Sequence, residues 1–333
     1  MKLLIFLSLI TGIAFAEPEV KISLTAAAAR LVVGGNSVEA NKSGIILNGK
    51  QTGLFALQIK GDLLEFDSRK FRNAIEVKLN SDKLTLIHAL PMESYITGVI
   101  SSELPSSWPL EVLKAQAIAA RTYAIWQMYK KEHLESTVMD QVYHGVQREH
   151  KLAQQAVTET AGKVLTYDSK PAHTYFHAAC GGHTASAEEA FGSKEPYLQG
   201  VACSYCHGSP TYRWSYVLSR SELDKKLGAK IKSLEPVGET NSGRVKNFRF
   251  ESKPKLADMK ATDFRKTLGY NNFRSTLVTK NSLGFSKAEF SGRGHGHGVG
   301  MCQWGALAMA KKGATAEEIL SFYYPGTEMR KFY

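Results

Sequence analysis

The chain has little cysteine, and beyond its first residues it has no long apolar run. Four of its 333 residues are cysteine. A membrane-spanning helix needs about 20 consecutive apolar residues, and no stretch after residue 16 approaches that length. We also find no internal repeat and no low-complexity segment. These absences favour a compact globular chain without a membrane span once the N-terminal segment is removed.

A dense run of lysine or arginine is also missing, although the formal net charge is +11. A chain this basic favours an anionic polymer such as cell wall, lipid head groups or nucleic acid. Nucleic acid is disfavoured because the positive charges do not cluster in sequence. Ordinary surface lysine is the alternative to any anionic partner.

The first 16 residues are typical of a secretory signal peptide. Lys2 supplies one positive charge, an apolar core follows from Leu3 to Phe15, and Ala14-Phe15-Ala16 has the small-x-small cleavage pattern. A transmembrane anchor is the alternative, but the apolar core is short for one. We therefore expect an exported protein, periplasmic or extracellular, that is cleaved after Ala16.

The remaining chain predicts an α+β fold. Short apolar or alternating runs separated by turn residues indicate a β-rich N-terminal region over residues 17–83. From residue 84 to residue 333, helical and strand patterns mix without the regular alternation of a doubly wound sheet, which indicates one mixed domain. We therefore divide the chain into residues 1–16, 17–83 and 84–333.

Glu103 is the first candidate for chemistry. The pattern predicts a helix that has Glu93 in its first turn and runs to about Glu103, where Pro105 stops it. A second helix follows, capped by Ser106 or Ser107 with Pro109 in its first turn. The carbonyl end of a helix and apolar neighbours both disfavour ionisation of a carboxyl group. Such a carboxylic acid can serve as a general acid in glycosidic bond cleavage. A solvated glutamate at a helix end is the alternative.

Two further segments combine glycine with polar side chains. His177 to Thr184 reads HAACGGHT and follows a strand predicted over Ala172–His177, and its paired glycines allow a sharp turn or close approach to a ligand. Gly294 to Ala306 reads GHGHGVGMCQWGA and opens a helix near Gln303, where backbone N–H groups can hold an oxyanion or a sugar hydroxyl. An incidental turn and a flexible linker are the respective alternatives.

Together these segments resemble the SpoIID/LytB domain family of bacterial cell-wall proteins. The matching stretches are ESYITGVISSELPSSWPLEVLKAQAIAARTYA, YFHAACGGHTAS with FGSKEPYLQGV, and GRGHGHGVGMCQWGALAMAKKGATAEEILSFYYPG. The resemblance covers about residues 84–327. It implies a SpoIID-like catalytic domain whose catalytic residue is Glu103. It also implies that six other residues line the substrate site, namely Gln116, Arg121, Tyr123, His177, His297 and Gln303.

The resemblance implies an exported peptidoglycan lytic transglycosylase. Such an enzyme cleaves the β-1,4 bond between N-acetylmuramic acid and N-acetylglucosamine, and it forms a 1,6-anhydro end with a single glutamate. The substrate would be glycan strands stripped of stem peptides, with a cell-wall amidase acting first. The matching motifs contain no obvious second acid, although Glu188, Glu189 or Asp140 could fold nearby.

The four cysteines, Cys180, Cys203, Cys206 and Cys302, allow three states. The Cys203-x-x-Cys206 spacing suits a structural zinc ion completed by Cys180 and Cys302, with His177, His183 or His207 as possible replacements. An exported protein with an even number of cysteines more often forms disulfides, and free thiols are the third state. The zinc site of some clostridial relatives should be missing, because residues 135–146 contain no cysteine. We expect no organic cofactor.

Two other functions fit the same motifs. One is a non-catalytic peptidoglycan-binding or amidase-enhancing module. The other is a cysteine peptidase or amidase that uses Cys180 with a nearby histidine.

Overall fold

The computed structural model describes residues 16–24, 28–252 and 255–333. The predicted signal peptide therefore lies outside the described residues, apart from Ala16. Within these described ranges no helix combines the length and the apolar character needed to cross a bilayer.

The N-terminal region is β, as predicted. In the strand that runs from residue 69 to residue 80, Ile75, Val77 and Leu79 are buried while the residues between them are not, which is the period of a half-buried strand. The strands are β1 (Glu19–Ser23), β2 (Arg30–Val33), β3 (Asn36–Asn41), β4 (Gly44–Leu47), β5 (Lys50–Gln51), β6 (Ala56–Phe66), β7 (Arg69–Asn80) and β8 (Lys83–Pro91).

These strands form two sheets. Strands β2 to β5 make a four-stranded antiparallel sheet, and the other sheet has the order β6-β7-β8-β1-β9, where β9 is Leu134–Glu135. The expected division between residues 83 and 84 falls inside the β7–β8 hairpin, whose two strands pair from Ile75 with His88 to Asn80 with Lys83. One hydrophobic core contains residues from both sides of that division.

Two helices follow, α1 (Met92–Glu103) and α2 (Leu110–Met128). α1 ends at Glu103 as predicted, before Pro105. α2 is buried over nearly its whole circumference rather than along the narrow stripe that the sequence suggested. The prediction that Ser106 or Ser107 caps α2 is wrong. Both serines lie in a separate turn, which the Trp108 N–H closes on the Pro105 carbonyl, and the residue before the first helical turn is Pro109, whose side chain makes no capping bond.

The middle of the chain is irregular. It contains α3 (Lys151–Glu159), β10 (Lys163–Tyr167), β11 (Lys170–Pro171), β12 (Phe176–His177), α4 (Ala187–Phe191) and a 3₁₀ turn at Cys206–Gly208. The strand predicted over residues 172–177 is reduced to β12. The preceding residues bond to other partners, since the Thr174 hydroxyl donates to the Ala119 carbonyl and the Tyr175 carbonyl accepts from the Tyr324 hydroxyl.

Residues 213–293 form a second lobe with its own core, which the sequence analysis did not separate. Its core is aromatic and includes Trp214, Phe248, Phe264, Phe273 and Phe290. Two three-stranded antiparallel sheets, β13-β18-β17 and β14-β15-β16, surround it. The elements are β13 (Arg213–Ser219), α5 (Arg220–Leu227), β14 (Ser233–Glu239), β15 (Val245–Ser252), β16 (Lys255–Lys260), α6 (Ala261–Leu268), β17 (Val278–Leu283) and β18 (Lys287–Arg293).

The chain then returns to the first core through β19 (Met301–Cys302), α7 (Gln303–Lys311), α8 (Ala316–Tyr323) and β20 (Glu328–Lys331). β19 pairs in parallel with β12, so that Cys302 lies opposite His177. Gly300 allows this pairing, because a Cβ atom there would lie 2.0 Å from the Tyr175 carbonyl oxygen. The fold is therefore mixed α+β, as predicted, and the β12–β19 pair joins the two glycine-containing motifs.

Candidate active site

Glu103 is the last residue of α1, and both of its carboxylate oxygens have hydrogen-bond donors. The Val142 N–H donates to Oε1 over 3.1 Å, and the Gln303 side-chain amide donates to Oε2 over 3.4 Å. Val142 belongs to the loop after β9, and Gln303 is the first residue of α7. Three separate parts of the chain therefore meet at this one carboxyl group.

The pKa of Glu103 is raised above the ordinary value for glutamate. Burial is the main cause, because it penalises the charged form, and the bonds from Val142 and Gln303 oppose it without cancelling it. This direction agrees with the sequence argument from apolar neighbours. Glu103 therefore keeps its proton to a higher pH than a solvated glutamate does.

Gln303 connects Glu103 to a second buried amide. Its side-chain nitrogen also lies 3.5 Å from the Gln116 Oε1 atom on α2. Gln116 is fully buried, and its own Nε2 has no hydrogen-bond partner among the described residues. The side chain of Cys302 caps α7 by accepting the Gly305 N–H over 3.4 Å, which fixes the residue immediately before Gln303.

Two tryptophans pack beside these polar groups. Trp108 follows Glu103 by five residues and Trp304 directly follows Gln303, and their rings meet edge to face with centroids 5.3 Å apart. The backbone N–H of Trp304 donates to the Ala178 carbonyl over 3.0 Å. This contact joins α7 to the HAACGGHT segment.

His177 and His297 form a neutral pair with ring centroids 5.5 Å apart. His177 donates from Nδ1 to the Val299 carbonyl over 3.0 Å, and the His297 Nδ1 accepts the Val299 N–H over 3.1 Å. Burial lowers the pKa of both rings, that of His297 to about 3. The His177 Nε2 has no partner among the described residues. Both histidines are therefore uncharged near neutral pH. In this form they can donate and accept hydrogen bonds, but they supply no positive charge.

Tyr123 packs against Phe176, the residue before His177, with ring centroids 6.5 Å apart. Its hydroxyl donates to Asp140 over 3.2 Å and accepts from the Gln127 amide over 2.6 Å. Burial raises the pKa of Tyr123. The hydroxyl is thus a neutral group held by two side chains.

Arg121 lies elsewhere, contrary to the expectation that it lines the substrate site. It is fully buried and forms an ion pair with Glu93, with Nη2 and Oε2 2.5 Å apart. It also donates to the Lys163 carbonyl over 3.0 Å. Glu93 in turn accepts from the Tyr333 hydroxyl over 2.6 Å. Because none of its surface is exposed, Arg121 holds the first turn of α1 against α2 and cannot touch a substrate in this structure.

The three acids that could have supplied a second catalytic carboxylate are engaged elsewhere. Asp140 pairs with Lys131 and accepts the Glu135 N–H over 2.6 Å. Glu188 pairs with Lys194 over 3.5 Å on the surface, and Glu189 accepts the Ser242 hydroxyl over 2.7 Å. None of them shares a hydrogen-bond partner with Glu103.

The four cysteines are brought together as the sequence suggested. Their sulfur atoms all lie within 4.8 Å of one another, and all four residues are buried. In a tetrahedral zinc–thiolate site, with bonds of about 2.3 Å, neighbouring sulfurs lie about 3.8 Å apart. The Cys180 and Cys206 sulfurs are 3.4 Å apart, longer than the roughly 2 Å of a disulfide bond, and all four cysteines are free. The cluster could hold a metal ion.

Backbone N–H groups point at these sulfurs. The Cys180 N–H donates to the Cys302 sulfur over 3.2 Å, and the Gly182 N–H donates to the Cys180 sulfur over 3.5 Å. The three histidines considered as replacement ligands instead bond backbone carbonyls, namely those of Val299, Thr184 and Ser204. Cys180 is fully buried among the other cysteines, which disfavours it as the nucleophile of a peptidase.

Sequence reasoning missed two contributors to the site. Val142 acts through its backbone N–H, which leaves no signal in the side-chain pattern. Trp304 stands in the same GMCQWG stretch as Gln303, so its motif was noticed, but its contact with Trp108 depends on the fold.

The site thus defines a class of mixed α+β protein in which a glycine-rich loop brings an amide to a shielded glutamate at a helix end. A family profile described as stage II sporulation protein, SpoIID, matches residues 80–167. The chain is 34% identical to stage II sporulation protein D of Bacillus subtilis, over 73% of this chain and 75% of that one. This chain belongs to the SpoIID family.

Other relatives carry different names. An uncharacterised protein of Brachyspira hyodysenteriae is 36% identical over 75% of this chain and 69% of its own length. The amidase enhancer of Bacillus subtilis is 31% identical over 71% of this chain and 40% of its own length. A second profile, a domain of unknown function (DUF8618), matches residues 197–300, a range that includes the second lobe.

Proposed function

We propose that this protein is an exported lytic transglycosylase that cleaves the β-1,4 bond between N-acetylmuramic acid and N-acetylglucosamine in peptidoglycan. The proposal rests on the setting of Glu103. Its carboxyl group has a raised pKa and accepts two hydrogen bonds, and none of the three candidate second acids shares a hydrogen-bond partner with it. Hydrolases of glycosidic bonds usually need two carboxylates. A transglycosylase that closes an internal ring can work with one.

The reaction has two proton transfers. Glu103 first protonates the bridging oxygen, the bond to the anomeric carbon breaks, and N-acetylglucosamine leaves with a free hydroxyl. The resulting carboxylate then takes the proton from the C6 hydroxyl of N-acetylmuramic acid, whose oxygen bonds to the anomeric carbon to close the 1,6-anhydro ring. Glu103 ends the cycle protonated, as it began.

The two carboxylate oxygens have different roles in this scheme. Oε1 holds the shorter bond, from the Val142 N–H, and is fixed in place. Oε2 has only the long 3.4 Å contact from Gln303, so it is the oxygen that we assign to carry the transferable proton. Gln303 then stabilises the carboxylate that forms after the first transfer.

The remaining polar groups would bind the sugar. His177 has a buried atom without a partner among the described residues, and this atom suits a hydroxyl or acetamido group of a glycan. Gln116 has no exposed surface, so it would act through its contact with Gln303. His297 and Tyr123 would complete this lining as neutral groups. Arg121 is left out of this set because it is buried in its pair with Glu93.

We further propose that the cysteine cluster holds a structural zinc ion. Cys180, Cys203, Cys206 and Cys302 would be its ligands, and four thiolates leave no open position for a substrate. Bound zinc would supply a crosslink between the HAACGGHT segment, the 3₁₀ turn and the start of α7. The N–H donors to the sulfurs suit thiolate ligands, since a negative sulfur accepts hydrogen bonds better than a neutral thiol.

The substrate would be glycan strands from which an amidase has first removed the stem peptides. The net charge of +11 favours attraction to the anionic cell wall. Export by the predicted signal peptide would place the protein in the periplasm or outside the cell, where this polymer lies.

Glu103→Gln tests the proposal, because it keeps the shape of the side chain and removes the transferable proton. Wild-type protein should release 1,6-anhydro products from peptide-stripped glycan, as detected by mass spectrometry. The variant should bind the glycan normally and turn over at least ~10²-fold more slowly. Near-normal turnover by the variant would overturn the role of Glu103. The matched control is Glu188→Gln, an exposed glutamate paired only with Lys194, which should not change turnover.

A second function is favoured by the similarity to a relative named amidase enhancer. In that case the protein would bind peptidoglycan without cleaving it. Glycan binding without any 1,6-anhydro product, in wild type and Glu103→Gln alike, would support this alternative.

A further inference from the structure

Arg244 is a fully buried cation that projects from the second lobe towards the cysteine cluster. It lies in the turn between β14 and β15, and 3% of its surface is exposed. Its guanidinium donates to the Cys180 carbonyl over 2.8 Å and to the His183 carbonyl over 3.0 Å. The third nitrogen, Nε, has no partner among the described residues.

No carboxylate within the described part of the chain forms an ion pair with Arg244. The charge of Glu189 acts on Arg244, but its carboxylate bonds the Ser242 hydroxyl over 2.7 Å rather than the guanidinium. The other groups whose negative charge would act on Arg244 are Cys180, Cys302 and Cys206. The two carbonyl oxygens provide dipoles, but they provide no net charge.

A buried charge without an opposite charge is strongly unfavourable. Four neutral thiols or two disulfides would leave Arg244 with only the charge of Glu189, which forms no ion pair with it, to offset its own. Four thiolates around one divalent ion have a net charge of −2, and a buried arginine next to them neutralises half of it. The negative charge of a metal–thiolate cluster and the positive charge of Arg244 would therefore stabilise each other.

We propose that Arg244 is the counter-ion of an anionic metal–thiolate centre formed by Cys180, Cys203, Cys206 and Cys302. This inference rests on the metal site of the proposed function and is independent of the role of Glu103. Arg244 acts through the ligands, since it bonds the carbonyl of Cys180 rather than the metal.

The same residue ties the second lobe to the glycine-rich loop. A Cβ atom on Gly298 would lie 2.4 Å from the Arg244 guanidinium, so the loop passes directly over it. Gly298 also has φ +89°, a conformation that other residues rarely adopt. The metal centre, the second lobe and the loop that carries His297 thus meet at one side chain.

The test is the zinc affinity of the purified full-length protein, measured by competition with a chromophoric chelator and without any glycan. Arg244→Gln should weaken zinc binding about 10- to 100-fold, the usual effect of losing a residue that supports a metal ligand. The matched control is Arg249→Gln, which removes an arginine of the same lobe that pairs with Asp258 on the surface, and it should leave the affinity unchanged. Unchanged affinity in Arg244→Gln would overturn the proposal.

Arg244→Lys decides the case in which Arg244→Gln fails to fold. Lysine keeps the charge but not the planar fork, so the variant should fold and bind zinc within a few-fold of wild type. A lysine variant that fails like the glutamine variant would show that the two carbonyl bonds matter and the charge does not, and this also overturns the proposal. Wild-type protein that binds no zinc would remove both this inference and the structural zinc, while the Glu103 chemistry would be unaffected.

Discussion

At the scale of single residues, the central feature is the imbalance between burial and hydrogen bonding at Glu103. The two donors, Val142 and Gln303, favour the charged form, yet burial dominates and the pKa rises. The folded protein therefore favours the protonated carboxyl group. It loses some stability when Glu103 is ionised.

Glu103→Gln should consequently have a higher free energy of unfolding than wild type near neutral pH, because the variant carries no charge at this buried position. The folded pKa lies above the unfolded value of about 4.3, so between these two values the folded state binds more protons than the unfolded state. The stability of wild type relative to the variant therefore falls as the pH rises through this window. Urea unfolding at several pH values measures the difference, and a gap that shrinks with rising pH would contradict the assigned direction.

Gln303 allows a sharper test, because its amide touches both Glu103 and Gln116. Gln303→Ala should lower kcat on the order of 10²-fold through loss of positioning. Gln303→Glu places a second negative charge beside Glu103, so it should raise the pKa of Glu103 further and move the alkaline limb of the pH–rate profile to higher pH. The control is Gln199→Ala, an exposed amide that bonds only the Glu195 carbonyl. An unmoved profile in Gln303→Glu would show that Gln303 does not act on the carboxyl group.

At the scale of elements, α1 is fixed at both ends by different means. Its first turn is held by Glu93, which bonds Arg121, the Gly162 N–H over 2.8 Å and Tyr333. Its last residue is Glu103. The polar network at Glu93 therefore sets the position of the catalytic candidate Glu103, ten residues later along the same helix.

Arg121→Ala should destabilise the protein by about 3–5 kcal/mol, because it leaves the carboxylate of Glu93 without its cation. Where the variant is still folded, its KM for glycan should be unchanged, since Arg121 has no exposed surface. Arg72→Ala is the control. It removes a half-exposed arginine that also pairs with a glutamate, Glu149, and it should cost at most about 1 kcal/mol. Equal losses in the two variants, measured by urea unfolding, would contradict this reading of the network.

Local signals explain which elements the sequence could predict. Pro105 ends α1 and Pro109 precedes α2, so these boundaries follow from backbone sterics alone. Thr315 and Ser219 cap α8 and α5 with their side chains, which a pattern of capping residues also reveals. The strand expected over residues 172–177 failed because its partner, β19, provides only two residues of pairing.

The candidate site was only partly predictable for a related reason. Recognisable motifs contain Glu103, Gln303 and the four cysteines. The fold brings Glu103 and Gln303 into contact, and it brings the four cysteines together. The buried pair of Arg121 with Glu93 and the Tyr333 contact with Glu93, 240 positions away, depend on the whole tertiary structure. A polar residue on a helix looks the same in sequence whether it meets a substrate or a buried carboxylate.

At the scale of the whole molecule, the cysteine cluster lies where separated parts of the chain meet. Cys180 follows β12, Cys203 and Cys206 belong to the irregular segment before the second lobe, and Cys302 immediately precedes α7. A bound ion would link all three. The Cys203 sulfur also lies 3.2 Å from the Tyr323 hydroxyl of α8, so the closing helices share the same contact region.

Removal of the proposed zinc ion should therefore destabilise the first core and not only the second lobe. A strong chelator should lower the Tm by roughly 10 °C, with recovery on adding zinc. Cys203→Ser should have a lowered Tm already and respond little to the chelator. Elemental analysis should find one zinc per chain. A chelator without effect, together with disulfides found by mass spectrometry of unreduced protein, would contradict the zinc assignment.

In the proposed reaction, one carboxyl group cleaves the glycan and no water enters the product. Digestion of peptide-stripped glycan in water enriched in heavy oxygen tests this claim most directly. We predict that the new N-acetylmuramic acid ends carry no heavy oxygen and are one water molecule lighter than reducing ends. Ends that carry solvent oxygen at the anomeric carbon would show hydrolysis, which would contradict the single-glutamate mechanism.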